Sequence, residues 1–144
     1  LLNKMKVLIV GGAGYVGGGI VDLLSKDNEV TVYDSLIYEN SYRKNVNFIF
    51  GDIRDYKKIN NILKEYDAVI WLAALVGDGA CAINPALTHE INSETVKNLV
   101  KNFKGKILNI RGETVSKIGE NWTSTGSMCS MNFSLLFSPS LLFL

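Results

Sequence analysis

Residues 7–19 read VLIVGGAGYVGGG, four apolar residues that run into glycine and then into a second apolar segment. A run this short, bounded at once by a turn signal, is the pattern of a buried strand, and it is too brief for the apolar core of a signal peptide. In residues 15–26, Val16, Ile20, Leu23 and Leu24 fall at helical spacing and are expected on the inward face. Strand, glycine turn, helix is therefore the unit that begins the fold. The glycines admit two overlapping registers, GxxGxxG through Gly11, Gly14 and Gly17, and GxGxxG through Gly12, Gly14 and Gly17. Each works by the same physics. The first glycine permits a tight turn, the middle one lets a pyrophosphate approach the main chain, and the last lets helix and strand pack closely. The helix start then offers free amides and a partial positive charge to the phosphates.

Asp34 closes the next strand, 23 residues after Gly11, where a carboxylate can accept hydrogen bonds from ribose hydroxyls. Glycine turn and acid together point to dinucleotide binding; the alternative is an ordinary strand-to-helix turn with a surface aspartate. An acid at this position repels a 2′-phosphate, which favours NAD over NADP. Gly18 and Gly19 fit less well, since each interior helix glycine costs about 1 kcal/mol relative to alanine, and the helix start is expected to fray.

The strand–helix alternation continues. Residues 29–33 (EVTVY) and 46–50 (VNFIF) read as strands, and residues 56–64 as a helix with Ile59, Ile62 and Leu63 inward. Residues 68–74 (AVIWLAA) form a strand apolar on both faces, which implies burial between two helical layers. Asn84 as N-cap and Pro85 at the first helical position open another helix, with Leu87, Ile91, Leu99 and Phe103 on one face. Residues 106–110 (KILNI) make a fifth strand. The expected fold is α/β, a doubly wound parallel sheet with right-handed crossovers.

With 144 residues, 47% of them hydrophobic, the chain can build one core. Fifteen basic against fourteen acidic residues give no electrostatic footprint for nucleic acid or an anionic membrane. Cys81 and Cys129 lie far apart without metal-ligand spacing, so no metal site or disulfide is expected and a reducing cytoplasm fits best. Residues 1–120 read as the binding domain, incomplete at its C-terminal side. Residues 121–144 carry no charge and six serines, too interrupted for a membrane span. That tail is expected to be the next layer of the sheet or sequence foreign to the domain, left by truncation or a frame change. The first residue is Leu1, so a fragment, or a start at Met5, is expected.

GGAGYVG, Asp34, GDIRD at 51–55 and WLAALVGDGACAINPALTHEIN at 71–92 together resemble the extended short-chain dehydrogenases, the NAD-dependent epimerase/dehydratase group that acts on nucleotide sugars. The resemblance covers residues 5 to about 110. It implies a Rossmann-like fold whose cofactor contacts come from Gly11, Gly14, Tyr15, Val16, Gly17 and Asp34. It further implies that Asp52 and Ile53 contact adenine, and that Leu72, Ala73 and Ala74 flank the ribose and nicotinamide side. Asp52 has a plainer alternative as the cap of a turn. Val10 stands where a threonine is common and Trp71 where a histidine often precedes LAA. Asn92 matches an asparagine usual in the family, either a brace for active-site backbone or a helix-surface residue.

Catalysis in such a family needs a tyrosine as acid or base, a lysine four residues later to lower its pKa, and a hydroxyl that orients the substrate oxygen. The six tyrosines, at 15, 33, 38, 42, 56 and 66, all precede the fourth strand, and none has a lysine four positions on. Thr114 matches the hydroxyl position, Ile118 stands where the segment usually has tyrosine, and Phe143 falls at the catalytic tyrosine in a looser match. His89 is expected at the surface or in packing, Cys81 as a small apolar filler, and Asp78 either toward substrate or as a cap. Three functions stay open: the NAD-binding portion of a nucleotide-sugar epimerase or dehydratase that transfers hydride between NAD and a sugar carbon, a non-catalytic NAD-binding module, or an inactive remnant. An uncovered fifth strand and the apolar residues 128–144 lead to an expectation of homodimers or aggregates.

Overall fold

In the computed structural model, described for residues 4–109, 117–118 and 121–122, the glycine turn joins β1 (Lys6–Val10) to α1 (Tyr15–Leu24). The chain continues through β2 (Glu29–Asp34), β3 (Asn47–Phe50), α2 (Tyr56–Leu63) and β4 (Ala68–Trp71). After β4 come α3 (Asp78–Ile83), α4 (Pro85–His89), a π-helical turn (Glu90–Glu94), α5 (Thr95–Asn102) and β5 (Lys106–Asn109). A two-residue ladder, β6 (Lys117–Ile118) with β7 (Asn121–Trp122), is antiparallel. Thr114, Cys129 and Phe143, and the tail from 123 onward, lie outside the described residues.

The main sheet is parallel throughout, in the order β3-β2-β1-β4-β5. The chain moves outward from β1 to β3, then returns to start again on the other side with β4. This leaves a crevice between the C-terminal ends of β1 and β4, where ligands bind in open α/β sheets. This is a Rossmann-like fold.

Alternation along β1 explains the unbroken apolar run. Leu8 and Val10 enter one core with Tyr33, Val69, Trp71, Ile59, Leu63 and Leu99, beneath α2 and α5. Val7 and Ile9 enter the other with Val30, Val32, Ile70 and Val21 of α1. Both faces are covered, so neither can be polar.

Three details depart from the sequence pattern. Leu23 is 61% exposed, while Gly17 and Val21 carry the buried stripe of α1 with Ile20 and Leu24 beside it. The fourth strand stops at Trp71, because the amides of Leu72 and Ala73 both donate to Val10 O, at 2.8 and 3.1 Å, and the chain leaves the ladder there. Residues 78–83 add a helix not foreseen, entered through Gly77 at φ 96°.

The Asn84 cap forms as expected, its side-chain oxygen accepting from Leu87 N at 3.0 Å. The buried stripe that follows is largely polar: Thr88, Asn92, Thr95 and Leu99. Each threonine hydroxyl donates to a main-chain carbonyl, Thr88 to Asn84 O and Thr95 to Ile91 O, which makes burial tolerable. Leu87 and Ile91 are half-buried at its margin.

Candidate functional site

The glycine turn rises between β1 and α1 with each glycine under a different constraint. Gly11 has φ 80°, and a Cβ there would lie 2.6 Å from Ala73 N, so the residue is both the tight turn and the point where the loops after β1 and β4 touch. Gly12 faces Val32, and a Cβ on Gly17 would sit 2.6 Å from Gly12 Cα. These three are bare because the fold leaves them no room. Gly14 differs. Its φ of −71° and ψ of 174° suit any residue, it is exposed, and a Cβ would meet only Gly11 O at 3.6 Å, an ordinary contact. The first bond within α1 runs from Gly18 N to Gly14 O, so the amides of residues 15–17 have no carbonyl of their own helix to reach.

Asp34 ties this turn to the end of β2. Its Oδ2 accepts from Ala13 N at 3.0 Å and its Oδ1 from Leu36 N at 2.8 Å. Leu36 is held at φ 51°, the one left-handed non-glycine among the described residues. Each carboxylate oxygen keeps acceptor capacity beyond these bonds.

At the end of β3, Gly51 lies directly over the buried Tyr33, and a Cβ would strike its hydroxyl. That hydroxyl donates to Asp52 O at 2.8 Å. Burial, with the fields of Asp55 and Asp52, pushes the phenol from 10.0 up to about 12. The Asp52 side chain accepts from Arg54 N at 2.8 Å and from the Arg54 guanidinium, Nε to Oδ1 at 3.0 Å and Nη2 to Oδ2 at 2.5 Å. The side-chain bond from Arg54 holds the Asp52 carboxyl below its usual range. Asp52 therefore closes a local turn, and it also borders the cleft.

That cleft, about 310 Å³, lies along the C-terminal edge of the sheet. Gly11, Gly14 and Tyr15 line its β1 side, Asp34, Asp52 and Ile53 its far end, and Leu72, Ala73 and Ala74 its β4 wall. Tyr15 is 98% exposed at the mouth. Val16 and Gly17, expected among the contacts, do not line it; Gly17 is buried beneath Gly12 and Val16 is half-buried.

The β4 wall is secured from behind. Asn92 Oδ1 accepts from Leu75 N and Asn92 Nδ2 donates to Leu75 O, both at 2.8 Å. Asn92 is thus the brace, buried in the π-helical turn, and not a surface residue. Trp71 belongs to the core, 1% exposed, with no partner for its Nε1 among the described residues. His89 is exposed, its Nε2 3.0 Å from Glu94 Oε1. Cys81 is half-buried, with Sγ 3.6 Å from Leu75 O. Asp78 begins α3. Arg54, Tyr33 and Leu36 carry structure at the cleft that sequence reasoning missed; GDIRD held a signal for the first, in an acid and a base two residues apart on one loop.

The NAD dependent epimerase/dehydratase family model matches residues 7–111. The chain belongs to this family. A UDP-glucose 4-epimerase from Klebsiella pneumoniae is 33% identical over 108 residues, 67% of this chain and 78% of that protein. A probable UDP-arabinose 4-epimerase from Oryza sativa subsp. japonica is 35% identical over 105 residues, 62% of this chain and 26% of that protein. Among solved structures, the UDP-glucose 4-epimerase of Thermus thermophilus, in complex with NAD, superposes with a TM-score of 0.65 at 26% identity, covering 88% of this chain and 44% of that one. This epimerase/dehydratase-family chain thus spans about a quarter of the rice relative and under half of the Thermus enzyme. Among its described residues no helix is long and apolar enough to cross a membrane.

Proposed function

We propose that this chain binds NAD in the cleft at the C-terminal edge of the sheet and serves as the cofactor-binding portion of a nucleotide-sugar epimerase or dehydratase. Gly14 carries the reading. Neither backbone conformation nor packing requires a glycine there, yet the position is bare, exposed and at the helix start. An occupant that must come within contact of the main chain supplies the missing reason, and a pyrophosphate has the charge that the free amides and helix dipole favour.

On this reading the main chain at Gly14 and Tyr15 holds the diphosphate, Asp34 accepts from the adenosine ribose, Asp52 and Ile53 receive adenine, and Leu72–Ala74 lie beside the nicotinamide ribose. Bound NAD supplies a hydride acceptor. The family's relatives named above act on UDP-sugars, and a nucleotide sugar is the substrate class proposed for the whole enzyme.

Calorimetry with NAD tests the proposal. The full chain binds, while Gly14→Ala keeps its thermal midpoint and loses roughly tenfold to hundredfold in affinity, the range expected when charge-assisted hydrogen bonds are displaced. A folded chain without affinity for NAD, or a Gly14→Ala variant that binds as well as wild type, overturns it.

A further inference from the structure

We propose that His89 and Glu94 are positioning residues for the cleft: their side chains clip the π-helical turn that carries Asn92, so that the hold of Asn92 on Leu75 tightens when the imidazole is protonated. This goes beyond NAD binding, since the clip acts on the β4 wall whatever ligand the cleft takes.

The turn is where that wall is held. Asn92 lies buried within Glu90–Glu94, and its amide meets both main-chain groups of Leu75 at 2.8 Å, next to the Leu72–Ala74 wall. A π-turn closes with bonds from i to i+5, as Thr95 N to Glu90 O does here, and such turns are rare in globular proteins. His89 and Glu94 bracket it, one as its N-cap and the other as its last residue, with Nε2 3.0 Å from Oε1. They are five positions apart. On an α-helix that spacing leaves two side chains about 140° apart around the axis, too far round to meet, whereas a π-turn brings i+5 back over i. The contact and the turn therefore stabilise each other.

Glu94 has a second cation. Lys97 Nζ lies 2.7 Å from the same Oε1, at the i, i+3 spacing of an ordinary helix, and ties Glu94 to α5. That bond, foremost, holds the Glu94 carboxyl below its usual range. The other titratable and charged groups around the turn are Glu90 within it, Tyr56 of α2, and Arg54, which is paired with Asp52 and feels the field of Glu90. The Tyr56 phenol is pushed up by burial and then by Glu90 and Glu94. α3, in contact with α4, carries Asp78 and Cys81. Of these residue types, histidine alone changes charge between about pH 5.5 and 7.5. Protonation makes the His89 contact a charge-assisted bond, present at the acid end of that range and lost as pH rises. The pair is 57% and 43% exposed, so the gain is small.

The test follows the full chain by heteronuclear NMR across this range of pH, with His89→Gln and Glu94→Gln beside wild type. In wild type the Leu75 amide and the Asn92 side-chain amide should shift along the titration of the His89 ring. Hydrogen-exchange protection of the Leu75 amide should be about twofold to fivefold higher at the acid end, the worth of an exposed ion pair. Glu94→Gln leaves the imidazole titrating but removes its partner, so both dependences vanish, as they do in His89→Gln. A direct field of the imidazolium on Leu75 would survive in Glu94→Gln. Level protection in wild type, or resonances that still follow His89 in Glu94→Gln, overturn the proposal. No ligand enters the measurement, so its failure leaves the NAD reading standing, and a chain without affinity for NAD leaves the clip standing.

Discussion

At the glycine turn the cleft wall is main chain, packed so closely that Gly11 touches Ala73 and Gly17 touches Gly12, whereas at the ends of β2 and β3 the wall is made by the side chains of Asp34, Asp52 and Arg54. The first end is inseparable from the fold, since the contacts that shape it also join β1 to β4. The second is attached to the fold through hydrogen bonds that side-chain changes can remove singly. Damage at the glycine turn should therefore appear first as instability, and, on the proposed function, damage at the ends of β2 and β3 first as altered ligand binding. Gly14 is the exception at the glycine turn, because nothing in the fold depends on its bareness.

Gly11→Ala gives the largest expected effect. It places a methyl group 2.6 Å from Ala73 N on a backbone at φ 80°, and strain plus overpacking amount to about 3 kcal/mol. Against a total stability of roughly 5–15 kcal/mol, the urea midpoint should fall sharply. A variant as stable as wild type would erase the distinction between the two ends.

Tyr33 tests the support of the cleft wall at the end of β3. Its folded pKa of about 12 lies above the unfolded value of 10.0, so its contribution is complete below pH 10 and is lost as pH rises from there through about 12. The shift is worth about 2–3 kcal/mol, and lysines that titrate in the same range are cancelled by comparison with Tyr33→Phe. Urea unfolding of both proteins at pH 9 and pH 12 should show the wild type losing more. Parallel losses would mean that the phenol is not held in its neutral form.

The smallest effect marks where the constrained glycines end. A Cβ on Gly19 meets nothing within 4 Å, so Gly19→Ala should stabilise α1 by about 1 kcal/mol. Differential scanning calorimetry would show a midpoint a few degrees higher. A drop in stability would extend the constrained region into the helix.

The strands, the turn and the N-cap at Asn84 were readable in the sequence because each depends on neighbours in the chain: a short apolar run, glycines at fixed offsets, an amide beside proline. The helix face from Thr88 to Thr95 was not. Leu87 and Ile91 are the apolar residues of its first half, yet Thr88, Asn92 and Thr95 are the ones buried, because their polar atoms find main-chain partners that no spacing rule reveals. The same holds for Asn92, which sequence left divided between brace and surface until Leu75 was found between its two amide atoms.

What the sequence determined by itself is the alternation of strand and helix, the place of the glycine turn and the acid that follows it, all of which rest on local conformational preference and hydrophobic period. What only the tertiary structure decided is which glycine is spare. Gly11, Gly12, Gly14 and Gly17 are the same letter, and their separate roles come from atoms brought near by β2, β4 and the crossover between them. Steric exclusion acts between residues far apart in the chain, so it becomes visible only once the sheet has assembled.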